Sequence, residues 1–194
     1  MTETVLFALA LIIVVFGVSA GTKLRRRDSY ASYVAGLGES RLVAGRALTV
    51  TAAVLAAGEA LVALYAVVAA VFLVAALPAP DGLPMVGLAA AVVLTGVLTV
   101  GVATVLHRGT RAQCACFGSS AARPLGPPHL VRNAVMLAVA IIGLAASVAG
   151  TADIPVGASI VALAGGGVVG LLAVQLDELV DLFGASPVSN RATR

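Results

Sequence analysis

Charged residues are scarce in this 194-residue chain: 11% of its residues are Asp, Glu, Lys or Arg, and 60% are hydrophobic. Soluble domains carry about 25% charged residues. A water-soluble fold of this composition could not cover its surface with polar groups. The composition therefore excludes an ordinary soluble domain and predicts a protein whose solvent is the lipid bilayer.

Aromatic residues are also scarce, at 4% of the chain, and tryptophan is absent. The net charge of +3 comes from Lys and Arg residues that cluster in two loops and a tail, between long apolar runs. A nucleic-acid-binding domain needs a basic face, often with interleaved aromatic residues. No such face occurs, and we predict no nucleic-acid partner.

What is abundant is apolar sequence in long runs. A membrane-spanning helix needs about 20 apolar residues. Five runs approach or exceed that length: Val5–Gly21, Ala47–Leu77, Met85–Leu106, Leu130–Ala149 and Val156–Leu176. Pro78–Pro84 and Gly150–Pro155 form short turns, because proline ends helices and neither segment has room for a soluble domain. We predict an all-α integral membrane helix bundle.

The basic residues alternate with the runs so that they fall on one side of a five-span protein. Residues 22–46 carry Lys23, Arg25, Arg26, Arg27, Arg41 and Arg46; residues 107–132 carry Arg108, Arg111, Arg123 and Arg132; the tail carries Arg191 and Arg194. The other side has only Glu3, Asp81 and Asp153. The positive-inside rule then predicts an outside N-terminus and a cytosolic C-terminus. The basic cluster follows the first run, as in a stop-transfer segment rather than a cleaved signal peptide.

Glu59 interrupts the second run, in VLAAGEALVALY. A carboxylate in hydrocarbon costs several kcal/mol unless it is protonated or paired. Glu59 is therefore either a functional group or a structural hydrogen-bond centre of the bundle. Lys23, at the end of the first run, could pair with it or could extend to the lipid headgroups.

The chain has two cysteines, and they are separated by one alanine in RAQCACFGSS, residues 111–120. With His107 and His129 they would give four zinc ligands, but the spacings match no zinc module, and we predict no metal site. Buried free thiols are a second interpretation, although the loop is polar. The third is a redox pair, in which Cys114 and Cys116 close a strained, easily reduced ring and Arg108 and Arg111 favour the thiolate.

Four segments in order resemble the MauE/DoxX-like membrane proteins, specifically the methylamine utilisation protein MauE family. They are AGTKLRRRD at 20–28, AAGEAL at 56–61, RGTRAQCACFGS at 108–119 and HLVRNAVML at 129–137. The resemblance implies a four-helix domain over residues 1–150, to which the fifth apolar run adds a transmembrane helix over 151–177 and a cytosolic tail over 178–194. Two features depart from the family pattern: Ala115 stands where glycine is usual, and the fifth span lies outside the four-helix core.

The resemblance implies a role in membrane-linked thiol–disulfide traffic and in maturation of a client protein, with a thioredoxin-like partner and a link to methylamine metabolism. Cys114 and Cys116 would be the redox pair. The supporting residues would be Glu59, Lys23, Arg111, Phe117, Gly118, Arg132 and Asn133. Gly118 would permit the loop to turn, Phe117 would anchor it, and Arg132 and Asn133 would bind loop carbonyls or headgroups.

Two rival functions remain: a non-catalytic assembly factor with structural cysteines, and a small transporter that uses Glu59. No cofactor motif is evident, and no residue pattern supports a membrane quinone as electron carrier. A client outside the cytoplasm conflicts with the predicted cytosolic, plasma-membrane location of the cysteine loop. The loop could dip into the membrane, electrons could enter from the cytosol, or the helix count could be wrong by one. We give the charge asymmetry precedence over the analogy.

Overall fold

The computed structural model describes residues 1–77, 82–109, 113–114, 123–124, 126–152 and 154–183. Its elements are α1 (Thr2–Leu24), α2 (Arg27–Glu39), α3 (Arg46–Val74), α4 (Leu83–His107), β1 (Gln113–Cys114), β2 (Arg123–Pro124), α5 (Pro127–Val148) and α6 (Val156–Phe183). Five helices, all but α2, are long and apolar enough to cross a membrane. The predicted helical membrane bundle is confirmed, with β1 and β2 as one short antiparallel pair.

Helix α1 is the centre of the bundle. It packs against α3, α5 and α6, whereas α4 packs mainly against α3 and α5. Within the most apolar window of α1, 61% of the residues are buried, compared with 22–33% for the other four spans. The outer helices expose large aliphatic side chains such as Leu64, Val93 and Val161. Those side chains form the surface that faces lipid.

Helix α6 approaches α1 closely because its contact face carries glycines. A Cβ built on Gly166 would overlap the carbonyl oxygen of Phe7, and one on Gly170 would lie 2.9 Å from Cβ of Val14. Small residues let membrane helices come together in this way. The apolar part of α6 that is long enough to span a membrane covers Val156–Leu176, and the helix continues to Phe183.

The short helix α2 lies where the sequence predicted a loop. Tyr33 is buried against Ala52 and Ala56 of α3, and Tyr30, Val34 and Leu37 pack around them. These apolar positions recur every three to four residues, as on one face of a helix. Helix α2 contacts α1, α3 and β1, so it covers the end of the bundle from which the cysteine-containing segment emerges.

At the opposite end of the bundle, Thr2 is hydrogen-bonded to Ala152. Its hydroxyl donates a 2.7 Å hydrogen bond to the carbonyl of Ala152 and accepts a 2.9 Å bond from the Ala152 N–H. These two hydrogen bonds join the start of α1 to the connection between α5 and α6. Helix α4 begins at the same end, after Gly82, whose φ of +79° is left-handed and suits glycine.

Candidate functional site

A buried ion pair joins α1 to α3. Lys23 Nζ lies 2.7 Å from Oε1 and 2.6 Å from Oε2 of Glu59, and each residue is only 2% exposed. The Ser19 hydroxyl donates a 3.0 Å hydrogen bond to Glu59 Oε2 and accepts a 3.1 Å bond from Lys23 Nζ. The Glu59 carboxylate is thus enclosed by the bundle and paired, as its cost in hydrocarbon requires. Of the two alternatives for Lys23, the structure shows the contact with Glu59.

The local sequence explains how these groups meet. Ser19 and Lys23 are four residues apart, so they lie one above the other on the same face of α1. Glu59 lies in the first half of α3 and faces α1 from it. Ser19 and Lys23 of α1 and Glu59 of α3 thus form one hydrogen-bonded cluster.

Tyr33 of α2 lies against the ion pair. Lys23 Nζ lies 4.4 Å from the centroid of the Tyr33 ring, a cation–π distance, and the Tyr30 ring lies 6.2 Å from the Tyr33 ring. Burial raises the pKa of the Tyr33 phenol, and the Glu59 carboxylate and Tyr30 raise it further. The phenol therefore remains protonated at neutral pH and keeps its hydrogen-bond donor.

A cavity of about 340 Å³ adjoins this cluster. It lies in the half of the bundle where α1 and α4 end and α3 and α5 begin. Most of its wall is aliphatic, with Lys23, Glu59, Tyr33, Thr95 and Asn133 among its polar groups. Small-molecule sites in proteins occupy about 300–1,000 Å³ and combine an apolar wall with a few placed polar groups. The cavity has both properties.

The start of α5 contributes three buried polar residues. His129 Nδ1 accepts a 3.3 Å hydrogen bond from the Gly126 N–H, as the third helical residue does in a capping box. Arg132 is 6% exposed. Asn133 is 8% exposed and lines the cavity. The prediction that Arg132 and Asn133 bind loop carbonyls or headgroups stays a prediction, and both side chains are buried in the bundle.

The cysteine pair falls largely outside the described residues. The backbone of Cys114 lies in β1, opposite Arg123 of β2, and β1 contacts α2. Cys116 and the predicted supporting residues Arg111, Phe117 and Gly118 are outside the described part of the chain. Among the described residues, no group of three His, Cys, Asp or Glu side chains could hold a metal.

Sequence reasoning missed Ser19, Tyr33 and Thr95. Ser19 and Thr95 are hydroxyl residues within apolar runs, a common pattern that carries no functional signal by itself. The sequence does contain a signal for Tyr33, because Tyr30, Tyr33, Val34 and Leu37 are spaced as on one face of a helix. The structure unites Lys23, Glu59 and Asn133, three residues predicted from separate segments, around one cavity.

Comparison with known protein families gives a match over most of the chain. The model of the family described as methylamine utilisation protein MauE matches residues 1–146. The matched range contains α1 to α4 and nearly all of α5, and α6 lies beyond it. No curated protein and no solved structure matches the chain.

Proposed function

The chain belongs to the family of methylamine utilisation protein MauE, and on that premise we propose that it exchanges disulfides with a partner protein through Cys114 and Cys116. Family membership and the five apolar helices make it a multi-pass membrane protein related to methylamine utilisation. The proposal adds the chemistry. The partner is a thioredoxin-like protein or a client whose maturation requires disulfides.

The observation that carries the proposal is the position of the cysteine-containing strand. The chain has only two cysteines, and they are one residue apart. The backbone of Cys114 lies in β1, and β1 contacts α2 at the end of the bundle. Helix α2 is not one of the five spans, so the contact of β1 with α2 supports a site of exchange outside the membrane-spanning part of the bundle.

The reaction conserves electrons and protons. A thiolate of the reduced partner attacks the Cys114–Cys116 disulfide and forms a mixed disulfide, which the partner's second thiol then resolves. The partner gains a disulfide, and Cys114 and Cys116 take up two electrons and two protons as thiols. Arg108, exposed at the end of α4, and Arg111 supply the positive charge that favours a thiolate.

We place the protein in the plasma membrane with its N-terminus outside and its C-terminus and cysteine loop in the cytosol. Helices α1 and α4 end, and α3 and α5 begin, at the end of the bundle that carries Lys23, Arg46, Arg108 and Arg132. The opposite end carries Glu3. This asymmetry supports the orientation through the positive-inside rule.

Trapping of the mixed disulfide tests the proposed function. In Cys114→Ser and in Cys116→Ser, the remaining thiol should form a mixed disulfide with the partner. This disulfide-linked complex should accumulate, and a reductant should cleave it. The Cys114→Ser, Cys116→Ser double variant should lose function at unchanged abundance and form no complex. Normal function of the double variant would refute redox exchange and would support a non-catalytic assembly factor.

A further inference from the structure

The cavity beside the ion pair is elongated along the spanning helices. Its wall runs from Val15 to Lys23 along α1 and from Thr95 to Val105 along α4. At 1.5 Å per residue these stretches are about 12 Å and about 15 Å long. Half of the hydrocarbon core of a bilayer is about 15 Å deep. The cavity therefore extends from one end of the bundle to about the middle of the membrane.

Most of the cavity wall is hydrocarbon, and the cavity is open to lipid. Its aliphatic part includes Leu55, Leu98, Val102 and Met136. Val97, in the middle of α4, also lines the cavity and is 55% exposed on the bundle. Water is a poor occupant of an apolar space, and an empty cavity destabilises a protein in proportion to its volume. A hydrocarbon chain that enters from the bilayer beside Val97 would fill the cavity.

The charged groups of the wall do not call for a charged ligand inside the cavity. An ammonium has three donors, and Lys23 Nζ donates to Glu59 Oε1, Glu59 Oε2 and Ser19 Oγ. The Glu59 carboxylate also accepts a hydrogen bond from the Ser19 hydroxyl. The two charges neutralise each other, so the part of the ligand inside the cavity can be an uncharged chain.

The connection between α2 and α3 borders the cavity at the membrane surface. Ser40, Leu42 and Val43 of this connection lie in the cavity wall. Leu42 extends across to α4, since its Cδ1 lies 3.9 Å from a Cβ built on Gly101. The end of the cavity therefore lies between this connection and the last turns of α4.

Three exposed arginines lie at that end. Arg41 comes directly before Leu42, Arg46 is the first residue of α3, and Arg108 directly follows α4. Glu39 is exposed next to them in the chain and offsets one of the three charges. Basic pockets between membrane helices bind anionic lipid head groups, and the arginine fork matches the geometry of phosphate. The charge at this end favours a phosphate.

We infer that the cavity binds one acyl chain of an anionic phospholipid, with the phosphate of that lipid against Arg41, Arg46 and Arg108. The chain lies along the cavity within one leaflet, and the head group lies at the membrane surface. Inorganic phosphate offers no chain, and a free fatty acid offers no phosphate. Lipid binding of this kind does not involve Cys114 or Cys116.

A matched pair of glycine substitutions tests the site of the chain. Gly101 lines the cavity, and a Cβ there would meet only Leu42 Cδ1. Gly96 of the same helix lies outside the cavity wall and has nothing within 4 Å of its Cβ. Gly101→Leu should therefore fill the cavity, whereas Gly96→Leu adds the same side chain to the same helix elsewhere.

A matched set of arginine substitutions tests the site of the phosphate. Arg41→Gln and Arg108→Gln each remove one exposed charge at the end of the cavity. Arg27→Gln removes an exposed charge at the first residue of α2, whereas the cavity is bordered by the connection that follows the last residue of this helix. Arg27→Gln thus controls for a general loss of positive charge.

The measurement is native mass spectrometry of the full chain in detergent, titrated with dioleoyl phosphatidylglycerol and, as the zwitterionic comparison, dioleoyl phosphatidylcholine. The wild type and Gly96→Leu should bind phosphatidylglycerol saturably, one per chain, and at least tenfold more tightly than phosphatidylcholine. Gly101→Leu should weaken binding at least tenfold. Arg41→Gln and Arg108→Gln should each weaken it about fivefold, the factor for one basic residue at an anionic lipid surface, and Arg27→Gln should not change it.

Three results would overturn the inference: equal affinity for the two lipids, unchanged binding in Gly101→Leu, or the same loss in Arg27→Gln as in Arg108→Gln. If Gly101→Leu does not accumulate, dihexanoyl phosphatidylglycerol decides, since its short chains should weaken binding to the wild type at least tenfold. Displacement of the lipid by inorganic phosphate alone would show a surface anion site, and displacement by oleate a fatty-acid site; either would contradict phospholipid binding. The Cys114→Ser, Cys116→Ser variant should bind the lipid normally.

Discussion

At the scale of single residues, the buried Lys23–Glu59 pair is the strongest constraint on this protein. The two opposite charges are buried together, and the Ser19 hydroxyl is hydrogen-bonded to both side chains. Removal of one member of a buried pair leaves an uncompensated charge in a medium of low polarity, at a cost of about 3–5 kcal/mol. Removal of both members can be nearly neutral when apolar groups fill the space.

A double-mutant cycle tests this account. Glu59→Gln and Lys23→Met should each lower the free energy of unfolding by about 3 kcal/mol. The double variant should lose less than either single variant, because no unpaired charge remains. Ser19→Ala, which keeps the pair and removes one hydroxyl, should cost about 1 kcal/mol. Denaturant titration in detergent measures all four, and additive losses in the double variant would contradict the pairing.

The sequence identified Glu59 but could not show what it pairs with. A lone carboxylate in an apolar run must be neutralised or paired, so its burial could be predicted. Its partner depends on how α1 and α3 are rotated against each other. Lys23 also fitted a position at the headgroups, and only the packed bundle distinguishes the two.

At the scale of elements, glycine determines how closely α6 approaches α1. A Cβ on Gly166 would overlap the backbone of Phe7, whereas nothing lies within 4 Å of a Cβ on Gly167. The same stretch, AGGGVVG, contains both residues. The two neighbours thus form a natural test and control.

We expect Gly166→Ala to destabilise the bundle by about 1–3 kcal/mol, because the added methyl group must displace α1. Gly167→Ala should be neutral or stabilising by up to about 1 kcal/mol, since alanine favours the helix without a clash. Thermal unfolding in the same detergent compares them. Equal effects of the two substitutions would show that α6 does not pack on α1 through Gly166.

The spans were predictable and their arrangement was not. The thickness of the bilayer sets the length of an apolar run, so all five helices follow from hydropathy. Hydropathy does not distinguish a helix that faces lipid from one that faces protein, and the central position of α1 was therefore hidden. Helix α2 escaped prediction because its apolar face is short and lies within a basic segment.

At the scale of the whole molecule, the proposed orientation in the membrane rests on the distribution of charge. The end of the bundle near Lys23 and Arg132 should face the cytosol. After reduction, an impermeant thiol reagent should fail to label Cys114 and Cys116 in intact cells and should label them in inverted vesicles. A cysteine introduced at Glu3, on the opposite end, should show the reverse pattern in a chain that lacks Cys114 and Cys116.

Labelling of Cys114 or Cys116 from outside intact cells would reverse the orientation. It would also bring the cysteine pair to the side where an extracytoplasmic client would meet it. The buried pair, the cavity and the α1–α6 contact would be unaffected, because they depend on packing and not on which way the bundle is inserted.

The central claim is that Cys114 and Cys116 form a reversible disulfide, and the redox state of the two thiols in native membranes tests it most directly. Membranes equilibrated with graded ratios of reduced and oxidised dithiothreitol are quenched with a maleimide of known mass, which adds to each free thiol. We predict a two-electron transition between zero and two labels, at a potential above the roughly −300 mV typical of structural disulfides. Two labels at every ratio would contradict the claim.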